Sequence, residues 1–340
     1  MTNSLPGRKK DHIRIAAEEN VLSMVNSGLE DYRLIHCALP EISLLDVDSR
    51  IRIFGKDLSF PFLISSMTGG TTKAGTINHH LAKAAQKFKI AMGVGSQRAG
   101  IENPDSMFSY QVRKEAPDIL LFANLGAVQL NYEYSIEQCK RAVDSIQADA
   151  LILHLNPLQE ALQPEGDIDF SGLLKKIDLI CAQLPVPVVV KEVGWGISIE
   201  VAQQLKNAGV SAIDVAGAGG TSWSQVEKFR IADPVLKTVA GNFVDWGIPT
   251  AESISTIHLA MPNMVLFASG GLKSGIDAVK CIALGASLAG FAGKLIKPAI
   301  DSYVSLDMVL TSLVREFQIA MFACGAKSLK ELPSKIEKIT

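Results

Sequence analysis

The chain has 340 residues, is 48% hydrophobic but only 6% aromatic, and carries a formal net charge of −2. That balance argues against a general nucleic-acid binder, which would show a basic face, while leaving room for a local basic patch, and the apolar fraction is ample for a sizeable core. The five cysteines (Cys37, Cys139, Cys181, Cys281 and Cys324) form no CxxC pair and are odd in number, so they predict reduced thiols in a cytoplasmic protein rather than a disulfide framework.

The opening stretch "MTNSLPGRKKDHIRIA" is charged and has no apolar core, which predicts no signal peptide. Residues 11–27 read as a helix and 42–60 as a short hairpin, together an N-terminal extension over 1–60. Eight short apolar runs then recur through 61–340: 62–67, 90–96, 119–126, 150–156, 186–193, 212–217, 264–271 and 287–293. Each is as long as a buried strand and ends in small or polar residues. Between them lie helical patterns such as 78–89, where Leu81, Ala84, Ala85 and Phe88 share a face, and 198–209 and 275–286, each opened by a cap and closed near a glycine. Eight βα units in a row predict a (β/α)₈ TIM barrel, with a doubly wound open sheet as the alternative. The connection over 222–262 is about twice the usual length and predicts a lid or an interface. The longest apolar stretch, near 282–293, is too short to cross a bilayer.

A barrel gathers its active site at the C-terminal ends of its strands, so the sequence can be read eight times at one place. The tips offer Met67, Thr68 and Gly69; Ser96 and Arg98; Asn124; His154, Asn156, Gln159 and Glu160; Lys191 and Glu192; Gly217, Gly219, Gly220, Thr221 and Trp223; Gly270, Gly271, Leu272 and Lys273; and Ala292, Gly293 and Lys294. "SGGLKSG" (269–275) and "FAGK" (291–294) are adjacent glycine-rich loops that each feed a helix. Bare amides at helix N-termini suit a phosphate, and the last two tips are where barrels commonly bind one. The competing explanation is that the glycines only make tight turns. Lys191 ends an apolar strand, where an ammonium is desolvated unless it meets an anion: either a structural ion pair with Glu192 or another tip carboxylate, or an anionic cofactor or intermediate.

"HLNPLQE" (154–160) is the densest polar tip. One carboxylate among amides suits Mg²⁺ better than a transition metal; the bland alternative is a hydrogen-bonded loop around a core histidine. "PEGD" (164–167) reads as a turn. The arm "GRKKDH" (7–12), with Arg8, Lys9 and His12, is either a solvated start or an anion grip, and Arg98 is a second anion candidate. No Ser-His-Asp, Cys-His or paired-carboxylate arrangement presents itself, so a cofactor is expected to do the chemistry.

Taken in order, "RKKDH", "SSMTGG", "GVGSQR", "ANLGA", "HLNPLQE", "VKEVGWGIS", "AGAGGTSW", "ASGGLKSG" and "FAGKLIKPA" resemble the type 2 isopentenyl-diphosphate Δ-isomerases, from about residue 8 to about residue 300. The resemblance implies a barrel that holds FMN, used in its reduced form with NADPH as reductant, together with Mg²⁺. It implies that Met67, Thr68, Gly69, Ser96, Asn124, Lys191 and Thr221 contact the flavin, and that Gly270, Gly271, Leu272, Lys273, Ala292 and Gly293 hold its phosphate. It puts Arg8, Lys9, His12, Arg98 and His154 at the substrate diphosphate, Asn156 and Gln159 along the substrate, Glu160 on Mg²⁺ and Trp223 by the hydrocarbon. Gln159, Lys191 and His154 are the implied catalytic residues. It also implies a homo-oligomer, a tetramer or octamer, with no nucleic acid or membrane partner. Two rivals remain at this point: an FMN-dependent oxidoreductase of the 2-hydroxy acid oxidase type, and a non-enzymatic flavin-binding barrel.

Overall fold

A computed structural model describes residues 5–339. Eight parallel strands close into a barrel: β1 Phe62–Ile64, β2 Ala91–Gly93, β3 Leu121–Gly126, β4 Ala150–His154, β5 Val188–Lys191, β6 Ala212–Asp214, β7 Val265–Ser269 and β8 Leu288–Phe291. Every expected strand is present, and the open-sheet alternative falls because β8 pairs back onto β1. The strands read as continuous apolar runs because both faces are covered. Alternate side chains point inward: Leu63, Phe122, Ile152, Val189, Phe267 and Leu288 fill the barrel. Their neighbours, such as Phe62, Ile64, Leu151 and Val190, face the surrounding helices.

The helices that shape the site are α1 (Leu5–Glu18), α2 (Pro157–Leu162), α3 (Trp223–Arg230), α4 (Pro234–Gly241), α5 (Gly275–Ala283) and α6 (Gly293–Asp301). The outer layer is completed by helices such as Thr72–Phe88, Ile136–Ile146, Leu173–Gln183 and Ile199–Asn207, and by Tyr303–Ala323 near the C-terminus. No helix is long and apolar enough to cross a membrane.

The N-terminal extension differs from its expected form. The helix spans Leu5–Glu18 rather than 11–27. It starts early because Pro6 is compatible with a first turn, which needs no amide there. It ends early because the next residues find partners elsewhere: the Ser23 amide donates to the Gly220 carbonyl at 2.9 Å and the Met24 amide to Val244 at 3.0 Å. The hairpin forms as Ile51–Ile53 paired with Lys56–Leu58. Phe54 and Gly55 both take positive φ at its turn (47° and 80°), as a tight hairpin requires. That turn lays the Phe54 ring edge-on to Phe122 and Phe267, which stoppers the N-terminal end of the barrel. Tyr32–Leu34 pairs with Ile336–Lys338 and so joins the two ends of the chain.

The long connection over 222–262 resolves into α3, α4 and the unit's own outer helix, Thr250–Ala260. Helix α3 packs beneath α1, with Ile15, Val21 and Val226 in one small apolar cluster flanked by Trp223 and Phe229.

Candidate active site

A cavity of about 400 Å³ opens at the C-terminal ends of the strands, roofed on one side by α1. The C-terminal end of every strand, or the tip just beyond it, contributes to its wall, and all but one of the expected site residues line it. The exception is Gly69. A Cβ there would fall 1.8 Å from the Tyr110 ring, so the close approach of Tyr110 demands a glycine at this position.

The fourth tip divides its work. His154 Nδ1 lies 2.8 Å from Asn124 Oδ1. An amide oxygen can only accept, so Nδ1 carries the hydrogen and Nε2 presents a lone pair. Burial, reinforced by the cations Lys191 and Lys9, drives the imidazole pKa down to about 3, so the ring is neutral at physiological pH. Asn156, which stands at the N-cap of helix α2, and Gln159 and Glu160 on that helix are all buried. Gln159 and Glu160 are adjacent in sequence; both accept from Asn156 Nδ2, Gln159 Oε1 at 3.2 Å, and their other partners differ. Glu160 accepts from Asn156 Nδ2 at 2.7 Å and from the Asp167 amide at 2.8 Å. Burial raises its pKa against those bonds. Gln159 Nε2 instead donates to Glu227 Oε1 at 2.9 Å.

Glu227, on α3, is a hub that the sequence did not reveal. It is fully buried, and its Oε1 also meets His12 Nε2 and Gln163 Nε2, each at 2.9 Å, while Oε2 accepts from Arg230 Nη1 at 2.5 Å. Burial pushes its pKa up, but His12, Gln159 and Arg230 outweigh that and hold it at about 2, a carboxylate at any working pH. In "WSQVEKFR" it looks like any surface helix charge, and nothing local marks it. Asp167 was also missed: the stretch "PEGD" is more than a turn. Its backbone holds Glu160, and its side chain accepts from Arg98 at 2.5 Å and Gln129 at 2.9 Å.

Helix α1 brings three cationic or ionisable groups over the mouth. Arg8 donates to Gln163 Oε1 at 2.8 Å. Lys9 donates to the Ser96 carbonyl at 2.8 Å and to Tyr110 Oη at 2.6 Å. Burial, then the charge of Arg8, lower the Lys9 pKa to about 7. His12 packs edge-on against Trp223, 5.1 Å between ring centroids. Arg98 lines the cavity, but its guanidinium is already engaged by Glu102 at 2.7 Å and Asp167 at 2.5 Å. That leaves it a weaker anion site than the sequence suggested.

Lys191, at the end of β5, donates to the carbonyl of Glu192 at 2.6 Å. The alternative of an ion pair with the Glu192 carboxylate is not realised. That carboxylate folds back onto the amides of Val193, Gly194 and Trp195 at 2.6–2.7 Å. Burial still lifts its pKa to about 7 against those bonds. The nearest carboxylate to the lysine ammonium is Asp214, 3.9 Å away.

The glycine-rich tips serve two purposes. Gly270 has φ of 109° and a Cβ would lie 2.1 Å from the Gly217 carbonyl, so this glycine is demanded by packing. Gly293 is different: a Cβ there meets only the Thr221 hydroxyl, at 3.8 Å, and its amide opens α6. First-turn amides have no acceptor within their own helix and can face an anion. The amide of Lys273 is not free for that task, because Asp277 Oδ2 accepts it at 2.9 Å. Two serine hydroxyls that line the cavity, Ser65 and Ser66, are buried with no hydrogen-bond partner among the described residues. The described residues contain no cluster of three His, Cys, Asp or Glu side chains fit to hold a metal unaided.

Comparisons with known proteins place this chain in a family. A family model described as FMN-dependent dehydrogenase matches residues 156–338. An isopentenyl-diphosphate delta-isomerase of Synechocystis sp. is 55% identical over 97% of this chain and 95% of that protein. Its namesakes from Nostoc sp. and Rickettsia felis are 51% and 48% identical, each over 96% of this chain and 93% and 94% of theirs. Among solved structures, a flavocytochrome b2 variant with benzoylformate superposes with a TM-score of 0.73 at 17% identity, over 96% of this chain and 82% of that one. A mandelate oxidase variant with (S)-mandelic acid gives 0.70 at 20% identity, over 98% and 94%. At those identities the structures speak for the fold alone. The relatives, nearly full-length and half identical, speak for the sequence as well: this chain belongs to the isopentenyl-diphosphate delta-isomerase family within the FMN-dependent dehydrogenases.

Proposed function

We propose that the protein interconverts isopentenyl and dimethylallyl diphosphate by adding a proton at one carbon and removing one two carbons away, with reduced FMN and Mg²⁺ bound in the barrel mouth. The observation that carries this reading is the meeting, in one cavity, of a basic helix, an oxygen-rich α2 tip and a buried lysine at the end of β5.

The donor set suits both groups. Ser65 and Ser66 are orphaned hydroxyls in the wall, and the open amide of Gly293 suits a cofactor phosphate. Met67, Thr68, Ser96, Asn124, Lys191 and Thr221 would line the ring, and Gly271, Leu272, Ala292 and Gly293 the phosphate. For Mg²⁺, Glu160 offers a carboxylate, and Asn156 Oδ1 is buried without a partner among the described residues. Two hard oxygens leave room for water and substrate phosphate, which is how Mg²⁺ is usually held.

Reduced flavin would supply an electron-rich face and a nitrogen able to give and take a proton. The chain's own residues do the rest. Arg8, Lys9 and His12 hold the diphosphate, and α1 roofs the site against water. Glu227 fixes the Gln159 amide with Nε2 toward itself, so Oε1 is the acceptor left facing the α2 tip. His154 stays neutral and offers the Nε2 lone pair. Trp223 shields the hydrocarbon. A tertiary carbocation survives only in such a dry and electron-rich pocket.

A 2-hydroxy acid oxidoreductase would need an unengaged arginine for the substrate carboxylate, and Arg98 is committed to two carboxylates. The test is anaerobic turnover of isopentenyl diphosphate with FMN, NADPH or dithionite, and Mg²⁺. Dimethylallyl diphosphate formed only under reducing conditions is the expected result. Bound flavin with no product, but reduction by a hydroxy acid, would overturn the reading.

A further inference from the structure

Asp214 ends β6 directly across from Lys191 in the strand register. It is fully buried, and so is one of its oxygens in a telling way. Oδ1 accepts from Ser269 Oγ at 2.7 Å and from the Ala216 amide at 3.3 Å. Oδ2 has no hydrogen-bond partner among the described residues, and it lies 3.9 Å from Lys191 Nζ. A buried carboxylate oxygen without a partner is costly unless a cation compensates it. The lysine ammonium is the only cation recorded in an ion pair with it among the described residues. The ammonium in turn has three hydrogens, and the Glu192 carbonyl takes one.

Nothing in the proposed chemistry uses Asp214. It does not line the cavity, while Lys191 does. We propose that Asp214 is a positioning residue: the buried counter-ion that sets how much positive charge Lys191 presents to the flavin. The inference rests on the reading that FMN binds here. An isolated ammonium at the wall would bind the negatively charged, reduced cofactor strongly over the oxidised one. Paired with Asp214, the lysine presents a nearly neutral dipole whose positive end faces the cavity. The sheet register makes this pairing unavoidable, because β5 and β6 are neighbours and both residues are the last of their strands.

The experiment is a midpoint-potential measurement on the FMN-loaded protein, by dithionite titration against a reference dye at one fixed pH. Asp214→Asn removes the negative charge and keeps the shape. The expected shift is toward positive potential, about tenfold tighter hold on reduced relative to oxidised FMN, or about 30 mV for the two-electron couple. In a Lys191→Met background there is no ammonium for the carboxylate to offset, so D214N should change the potential less than it does with Lys191 present. An unchanged potential in D214N, or an equal shift in both backgrounds, overturns the inference. If D214N alone does not fold, the K191M/D214N double variant decides. Recovery of folded, FMN-binding protein when both charges are removed supports the pairing, and failure to recover overturns it. Wild-type protein that takes up no FMN would overturn the underlying site reading, a result distinct from a D214N protein that binds FMN with the wild-type potential.

Discussion

Gln159 Nε2 and Glu227 Oε1 lie 2.9 Å apart, joining a helix after the fourth strand to a helix after the sixth. The two residues are 68 positions apart in the chain, and their contact leaves Gln159 Oε1 as the acceptor for Asn156 Nδ2, 3.2 Å away.

Removing that carboxylate should cost both activity and stability. Glu227→Gln cannot accept from His12, Gln159, Gln163 and Arg230 together, and breaking a buried charged network of this kind costs about 3–5 kcal/mol. Its pKa of about 2 lies below the ordinary carboxylate value. The stability it confers is therefore complete above about pH 4.3 and drains away as pH falls toward 2. Thermal melts of wild type and E227Q should differ most at neutral pH and converge in acid. A gap that stays constant down to the lowest pH at which both fold would contradict this.

His154 should not titrate in the physiological range. Its pKa of about 3, lowered by burial and by Lys191 and Lys9, lies below the ordinary imidazole value. The unfolded chain therefore takes up this proton near pH 6.5 while the folded protein refuses it until about 3, so stability is lost as pH falls through that window. NMR of the ring protons should show a single neutral form from pH 8 to 5, with the hydrogen on Nδ1. A midpoint near 6.5 would rule out the buried, neutral ring.

Lys9 should make substrate binding pH-sensitive. Its pKa of about 7 means that, without an anion, the ammonium loses its proton as pH rises through neutrality. A bound diphosphate favours the charged form, so KM should rise above pH 7 in the wild type. In Lys9→Gln, KM should be high throughout and its slope above pH 7 absent. The same slope in both proteins would assign the effect to another group.

Asn156 should control the metal. Asn156→Ala removes both the donor that steadies Glu160 and the unpartnered Oδ1 beside it. A loss of supporting contacts of this kind weakens a metal by about 10- to 100-fold. Activity against Mg²⁺ concentration after chelator treatment should show that shift, with FMN binding unaltered in the absorbance spectrum. Unchanged Mg²⁺ dependence would move the metal away from α2.

Gly293→Ala is the sterically easiest change among the glycines that line the cavity and so the cleanest probe of the phosphate. The new methyl has room in the protein itself, with only Thr221 Oγ1 at 3.8 Å. Thermal stability without cofactor should be unchanged, while FMN affinity falls. Gly270→Ala, by contrast, sets a Cβ 2.1 Å from the Gly217 carbonyl and should lower stability itself. Equal FMN affinity in G293A and wild type would remove the phosphate from this helix start.

The sequence by itself determined the barrel. Eight continuous apolar runs are what strands buried on both faces must be, and a barrel puts their polar ends at one mouth. That is why His154, Asn156, Lys191, Thr221 and Gly293 could be named from their places at strand tips alone. Only the tertiary structure decided what those tips hold against one another. Glu227 looks like a surface helix charge until α3 folds over α2. Arg8, Lys9 and His12 look like a solvated arm until α1 lies across the mouth. "PEGD" looks like a turn until it closes on Glu160 and Arg98. Asp214 did leave a trace, a carboxylate inside "AIDVAG", but its significance depends on Lys191 standing beside it in the sheet. Hydrophobic burial is periodic and local, so it can be read along a chain. A hydrogen bond between residues dozens of positions apart has no such period, and only the folded geometry creates it.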